Sequence, residues 1–344
     1  MNARELALAV VRDVFPAPGS HAIERTAQAS FDYHARRSQL DGRDRAFAAE
    51  LAYGAIKMRR ALDWYLEPFV THQGLPQVIR EILRLAAYEL LYTRADVHAT
   101  VFEFVNLAKR FSHRGLANLV NAVLRSLLRA KPEEPVRETF DGDDEYLATR
   151  YSLPNWLVRQ WREVFAAQLE AICAGVNTPA RAAVVVNRMK GSVETAADRL
   201  RAAGVETTPS QYVPESLLVD SGSPVRVRDD GDWWPQSESS AMAADVLGPQ
   251  PGEAILDVCT GRGNKALQIG ARLAGDGSLC CIELDARKVE TLRRRLEEAG
   301  IVAAVVTDDA TAEILADDRR FDRVLVDAPC SGVGVVGRHP EARW

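Results

Sequence analysis

The sequence predicts a multidomain protein with an all-α front, a small α+β middle and an α/β back built on a doubly wound parallel sheet. Three observations carry that prediction. Residues 1–130 repeat their apolar side chains at helical spacing and never alternate as a strand does. A charged, proline-bearing stretch from Lys131 to Glu145 then breaks the pattern. From Pro235 onward, four short apolar runs that each close on an acid recur at intervals of roughly 25 residues, with helical segments between them.

In the front segment the helical spacing is clearest from Asp44 to Tyr53, from Val78 to Tyr88 and from Leu116 to Leu128, with Gly54, Gly74 and Gly115 as punctuation. Residues 1–130 therefore form a small helical bundle. Residues 131–150 read as a linker. Pro154 and Asn155 start a helix that runs to Ala174, and the β-branched run Ala183–Val186 reads as a strand. A helix over 193–204 and a short strand, Leu217–Val219, complete an α+β segment over 151–234. The last segment, 235–344, places strands at 254–258, 279–283, 302–306 and 323–327, with helices at 266–273 and 287–299.

At 344 residues and 37.9 kDa the chain has room for two or three domains with cores of their own. No apolar run approaches the ~20 residues of a membrane span, and the N-terminus lacks a signal-peptide pattern. The five cysteines (Cys173, Cys259, Cys280, Cys281 and Cys330) form no CxxC pair and no metal-ligand spacing. A cytoplasmic monomer with reduced thiols, no metal and no membrane association is the expectation. The net charge of −5 hides an asymmetry: residues 1–130 hold 18 Lys and Arg against 13 Asp and Glu, leaving 25 against 35 for the rest. A basic front suits a polyanion such as RNA, although ordinary variation between domains gives the same numbers.

The cofactor expectation rests on strand ends. Ala254–Val258 runs into Cys259-Thr260-Gly261-Arg262-Gly263-Asn264-Lys265, a tight glycine turn that lets backbone N–H groups approach a ligand. Glu283 closes the next strand and can accept hydrogen bonds from two ribose hydroxyls, while Asp309, after the third, can take an adenine amino group. The loop lacks the third glycine of a dinucleotide-binding GxGxxG. S-adenosylmethionine carries no pyrophosphate and needs fewer glycines and more acids, so the series favours it over NAD.

Cys330 follows a proline on the loop after the fourth strand, three residues beyond Asp327. Carbon 5 of cytosine is too electron-poor to take a methyl group directly. A thiolate adding to carbon 6 makes it nucleophilic, which requires a cysteine held beside the base. Asp327 is placed to orient that base or the cofactor's methyl end. Cys173, Cys280 and Cys281 read instead as small buried hydrophobes.

Asp327-Ala-Pro-Cys330-Ser-Gly332 with Arg338-His-Pro340 resembles the RNA cytosine-5 methyltransferases. The chain as a whole is similar to the Sun/Fmu (RsmB-type) enzymes that methylate a cytosine of small-subunit ribosomal RNA. Leu40 to Phe47 and Val120 to Arg125 resemble the NusB-like helical RNA-binding domain of that family, and Pro235 to Ser240 its segment before the first strand. The resemblance implies a NusB-like bundle, a small RNA-binding α+β segment and a Rossmann-like methyltransferase domain. It also implies S-adenosylmethionine held by 259–265, Glu283, Asp309 and Asp327. In this family the cysteine matching Cys330 helps release product, and the attacking thiolate sits on the loop after the next strand.

Two departures from the family pattern set further expectations. Arg262 stands at the position of a proline and Asn264 at that of a glycine in the cofactor loop, so weakened cofactor affinity is expected unless Arg262 points outward. Asn264 tolerates positive φ better than most residues. The sequence also stops at Trp344, before the family's nucleophile position, which predicts an incomplete methyltransferase domain that does not turn over, with the fourth strand as an exposed apolar edge.

Other residues leave alternatives open. Tyr151, Trp156, Trp161, Trp233 and Trp234 either stack bases or pack a core. Lys109, Arg110, Arg114, Arg125 and Arg129 form either a phosphate-facing strip or a solvated face. His98 and His113 read as structural. Against RNA cytosine methylation stand a non-catalytic NusB-like RNA-binding protein and a methyltransferase for protein or small molecules, the latter disfavoured because neither substrate needs a thiol adduct.

Overall fold

The computed structural model describes residues 1–19, 25–71, 74–227, 230–312 and 319–344. The chain forms two compact units, residues 1–180 together with 331–344, and residues 181–330. The first opens with α1 (Ala3–Val14), α2 (Ala27–Arg37), α3 (Gly42–Lys57), α4 (Arg59–Leu66), α5 (Gln77–Tyr92), α6 (Val97–Phe111) and α7 (Arg114–Ala130). Side-chain caps start several of them: Asn2 with Glu5 in a capping box, Thr26, Asp41 and Asp96. Leu6, Leu51, Ile79, Phe104 and Leu124 meet in one core. Helices α3 and α5 pack so closely that a Cβ at Gly54 would lie 1.9 Å from Cζ of Tyr88. Two buried carboxylates in this core are paired with cations, Glu89 with Arg4 and Glu81 with Arg59 and Arg84.

The stretch expected to be a linker contains a helix, α8 (Asp143–Arg150). The acidic run that suggested a linker is its first turn, where Asp143, Asp144 and Glu145 complement the helix dipole. The single helix expected to reach Ala174 is two, α9 (Asn155–Phe165) and α10 (Leu169–Gly175), broken at Ala166 with φ +37°. Residues 331–344, expected in the last domain, belong to the helical unit. There Val336 joins Leu147, Trp161 and Cys173 in a second core. The fully buried Arg343 donates to the carbonyls of Ser152 and Val176 at 3.1 Å and of Val336 at 3.3 Å, and Trp344 Nε1 donates to Ile56 O at 2.8 Å.

The second unit holds two four-stranded sheets. An antiparallel one runs β2-β3-β1-β4, from β1 (Ala183–Val186), β2 (Glu206–Pro209), β3 (Ser216–Ser221) and β4 (Trp233–Pro235), with α11 (Val193–Ala202) against it. Trp233 and Trp234 form the buried part of β4 and are core residues, which removes them from base stacking, as burial does for Trp161; Trp156 is 50 % exposed. After α12 (Glu238–Leu247) comes the parallel sheet, β7-β6-β5-β8, built from β5 (Ala254–Val258), β6 (Ser278–Ile282), β7 (Ala304–Val306) and β8 (Arg323–Val326). Helices α13 (Asn264–Leu273) and α14 (Ala286–Ala299) connect β5 to β6 and β6 to β7. The boundary read at 235 falls inside this unit: Gln268 and Arg272 of α13 both donate to Glu215, which precedes β3. Among the described residues β8 pairs with β5 alone, and Val324 and Val326 are exposed.

Candidate active site

All the site residues expected from the sequence lie at the carboxyl ends of the parallel strands or on the loops that follow. Strand β5 is central, flanked by β6 and β8, and its acid, Asp257, is 1 % exposed. Thr260 N–H donates to Ile282 O at 2.9 Å, which draws the loop alongside β6 before the chain turns into α13. Cys259, Gly261 and Gly263 take positive φ of +60°, +65° and +88°. At Gly263, which caps α13, a Cβ would come 2.3 Å from Cδ1 of Leu292 on α14, so both the conformation and the helix packing require glycine. Asn264 is the first residue of α13 and is not among the positive-φ positions. Its amide accepts from Arg295 Nη1 at 2.7 Å and donates to Pro235 O at 3.3 Å. The Arg262 side chain is exposed, and its carbonyl accepts from Arg295 at 2.6 Å.

The acids fall into two groups. Glu283, 6 % exposed, ends β6 with one oxygen accepting Gly261 N–H at 2.7 Å and the other accepting Asp285 N–H at 2.9 Å. Lys288 Nζ stands 3.6 Å away. Glu283 thus clamps the glycine loop, and its two oxygens retain acceptor capacity beyond those two bonds. Asp309 is exposed after β7. The N–H and hydroxyl of Thr311 donate to it at 2.9 and 2.7 Å and hold its carboxyl below the usual range. Asp327, half exposed after β8, accepts from Lys265 Nζ at 2.6 Å.

Asp257 is the carboxylate most displaced from its ordinary value in this region and had no role in the sequence reading. Burial pushes its carboxyl up to about 7, Asp327 adds to the rise, and Lys265 and Thr260 oppose it. One of its oxygens, Oδ2, has no hydrogen-bond partner among the described residues. The signal that marks it in the sequence is an acid inside an otherwise apolar central strand. Of the five cysteines only Cys330 is exposed; Cys259 is half-buried, and burial raises the thiols of Cys173, Cys280 and Cys281. A cavity of about 460 Å³ lies at the opposite end of the sheet, lined by the strand starts Ala254, Ser278 and Ala304, and includes none of the acids described above.

This end of the sheet suits a cationic nucleoside. Space above Gly261 is open, with only Cys259 O within 4.0 Å of a Cβ built there. Glu283, Asp309 and Asp327 follow the carboxyl ends of β6, β7 and β8, Lys265 is already paired with Asp327, and Arg262 is exposed. A ligand bearing a ribose, an adenine and a positive charge matches that donor and acceptor set, whereas a pyrophosphate finds no third glycine and several carboxylates.

Comparison with known proteins divides the chain in three. Residues 1–129 match the NusB family, residues 153–226 the Methyltr_RsmF/B-like ferredoxin-like domain, and residues 244–344 the 16S rRNA methyltransferase RsmB/F family. A probable ribosomal RNA small subunit methyltransferase B of Bacillus subtilis is 31 % identical over 322 residues, covering 90 % of this chain and 70 % of its own. The ribosomal RNA small subunit methyltransferase B of Serratia proteamaculans is 29 % identical, covering 89 % and 71 %. The crystal structure of PH0851 superposes with a TM-score of 0.73 at 22 % identity over 99 % of this chain and 77 % of that one. A methyltransferase homolog from Pyrococcus horikoshii gives 0.51 at 20 % identity over 58 % and 67 %. These two structures show a shared fold.

Proposed function

The chain belongs to the ribosomal RNA small subunit methyltransferase B family, and from that premise we propose that it serves, in the cytoplasm and as a monomer, the S-adenosylmethionine-dependent methylation of carbon 5 of a cytosine in 16S ribosomal RNA, with the family's attacking cysteine at a position outside residues 1–344. The observation that carries this reading is the row of acids Glu283, Asp309 and Asp327 beside a glycine loop whose Gly261 N–H is already fixed by Glu283. Glu283 would hold the ribose hydroxyls, Asp309 the adenine amino group, and Cys259 to Lys265 the amino-acid end. When bound, S-adenosylmethionine supplies an electrophilic methyl group.

The chain's own residues prepare the site. Asp327 and Lys265 neutralise each other, so the pair can orient a polar group without adding net charge. Asp257, behind the loop, gains its negative charge near neutral pH, and a cation bound in front of it favours that charged form. Arg262 is exposed, so water screens its cation. An unpaired or flipped cytosine exposes both faces of its ring, and the family's attacking thiolate, which is not Cys330, would add at carbon 6 and open carbon 5 to methylation. Loss of the carbon-5 proton then expels the thiolate and restores the ring. Cys330, exposed after Pro329, is assigned to this release step.

Calorimetry tests the reading. The 344-residue chain is expected to bind S-adenosylmethionine, and Glu283→Ala to weaken that binding at least about tenfold, the loss of one charge-assisted contact. A chain that binds ribosomal RNA and ignores the cofactor would instead be a non-catalytic RNA-binding protein.

A further inference from the structure

Helices α6 and α7 enclose a groove of about 660 Å³ on the helical unit. We propose that this groove is a subsite for single-stranded RNA, with an unpaired base against Phe102 and successive phosphates on Lys109, Arg125 and Arg129. The inference rests on the reading that the chain acts on RNA, and adds where on the bundle a strand is held.

Charge localises it. Residues 97–130 carry five Lys and Arg against one acid, Glu103, while residues 1–96 carry 13 against 12, so nearly all the excess of the basic front lies on this one hairpin. Several arginines of the bundle find carboxylates: Arg4 pairs with Glu89, Arg59 with Glu81, Arg84 with Asp63, and, on α6 itself, Arg110 with Glu5. The three cations of the groove do not. Lys109 donates to Asn106 at 3.2 Å, Arg125 to Asn121 at 3.0 Å and Arg129 to Ser126 at 2.9 Å, all neutral acceptors. No carboxylate lines the groove. A solvated helix face intersperses acids at i,i+4, and α7 has none. Arg125 and Arg129 are instead like charges at i,i+4, an arrangement that costs stability until an anion neutralises it.

The apolar part selects the kind of anion. Phe102 is 63 % exposed and Val97 39 %, over a floor that includes Val101 and Leu128. A duplex hides its bases, and a run of Asp and Glu carries no ring to stack. A single strand offers phosphates and a splayed base together, with stacking worth about 1–3 kcal/mol per base.

Fluorescence anisotropy of a short single-stranded oligoribonucleotide, titrated with the full chain at several salt concentrations, tests this. Arg125→Gln combined with Arg129→Gln should lower the salt slope by about 1.4, two phosphates at about 0.7 each. Phe102→Ala should weaken binding roughly 5- to 100-fold with the slope unchanged. All three side chains are exposed, so circular dichroism should show the fold intact. Wild-type affinity and slope in these variants would overturn the groove while leaving RNA as the substrate. Absence of RNA binding by the wild-type chain would overturn the RNA reading itself. Displacement of the RNA by polyglutamate at equal charge, together with a neutral Phe102→Ala, would assign the groove to an acidic protein and overturn the proposal.

Discussion

Asp257 ends its life as a charged group early: buried in β5, its carboxyl is raised to about 7 from an ordinary 3.8. Between those two values the folded chain binds more protons at this group than the unfolded chain does. Stability contributed by this group is therefore full below the unfolded value, falls as pH rises to about 7, and is flat above. Unfolding free energies from urea melts across that window should decline in the wild type and decline less in Asp257→Asn, a difference on the order of a few kcal/mol; equal slopes would place the titration elsewhere. Glu283→Gln keeps one carbonyl oxygen for the two N–H groups of Gly261 and Asp285, and should cost about 1–3 kcal/mol in a denaturant melt. Glu283, Asp309 and Asp327 were legible because each closes an apolar run. Asp257 was visible as a letter but not as a buried charge. Its burial comes from having β6 on one side and β8 on the other, and no local spacing encodes that.

At the scale of elements, the loop into α13 depends on Gly263. Gly263→Ala must resolve a 2.3 Å approach to Leu292 and a φ of +88°, so thermal melting should show a loss of about 1–3 kcal/mol. Strand β8 presents Val324 and Val326 on an open edge, a template for pairing with another chain. Val326→Lys should reduce light scattering at high concentration without lowering the melting temperature; unchanged scattering would exonerate the edge. The helices and the parallel strands could be read because caps and apolar runs announce them. Strand β2 could not, since Glu206 and its neighbours are polar and mostly exposed, nor β4, a three-residue strand ending on a proline. Helix α8 was hidden for a different reason: acids that complement a helix start have the same composition as a solvated linker.

Over the whole molecule, the domain order was legible and the path of the chain was not. Nothing in Arg338 to Trp344 signals that Arg343 is to be buried among carbonyl oxygens of residues distant in sequence. Burial lowers its guanidinium to about 10, so it stays charged at neutral pH, and carbonyl dipoles satisfy it in place of a carboxylate. Arg343→Ala should destabilise the helical unit by about 2–4 kcal/mol in chemical denaturation, with Arg343→Lys recovering only part, since an ammonium cannot span the fork. The helical unit is discontinuous, interrupted after residue 180 and resumed at 331. During synthesis its helices leave the ribosome first, yet Val336 and Arg343 reach them only after residues 181–330 have been made, a wait of roughly 8–30 s at about 5–20 residues per second. For that interval the second core, around Leu147, Trp161 and Cys173, is without Val336. Completion of the bundle is thereby a timed event, and the nascent chain cannot finish its first unit until its second has been translated.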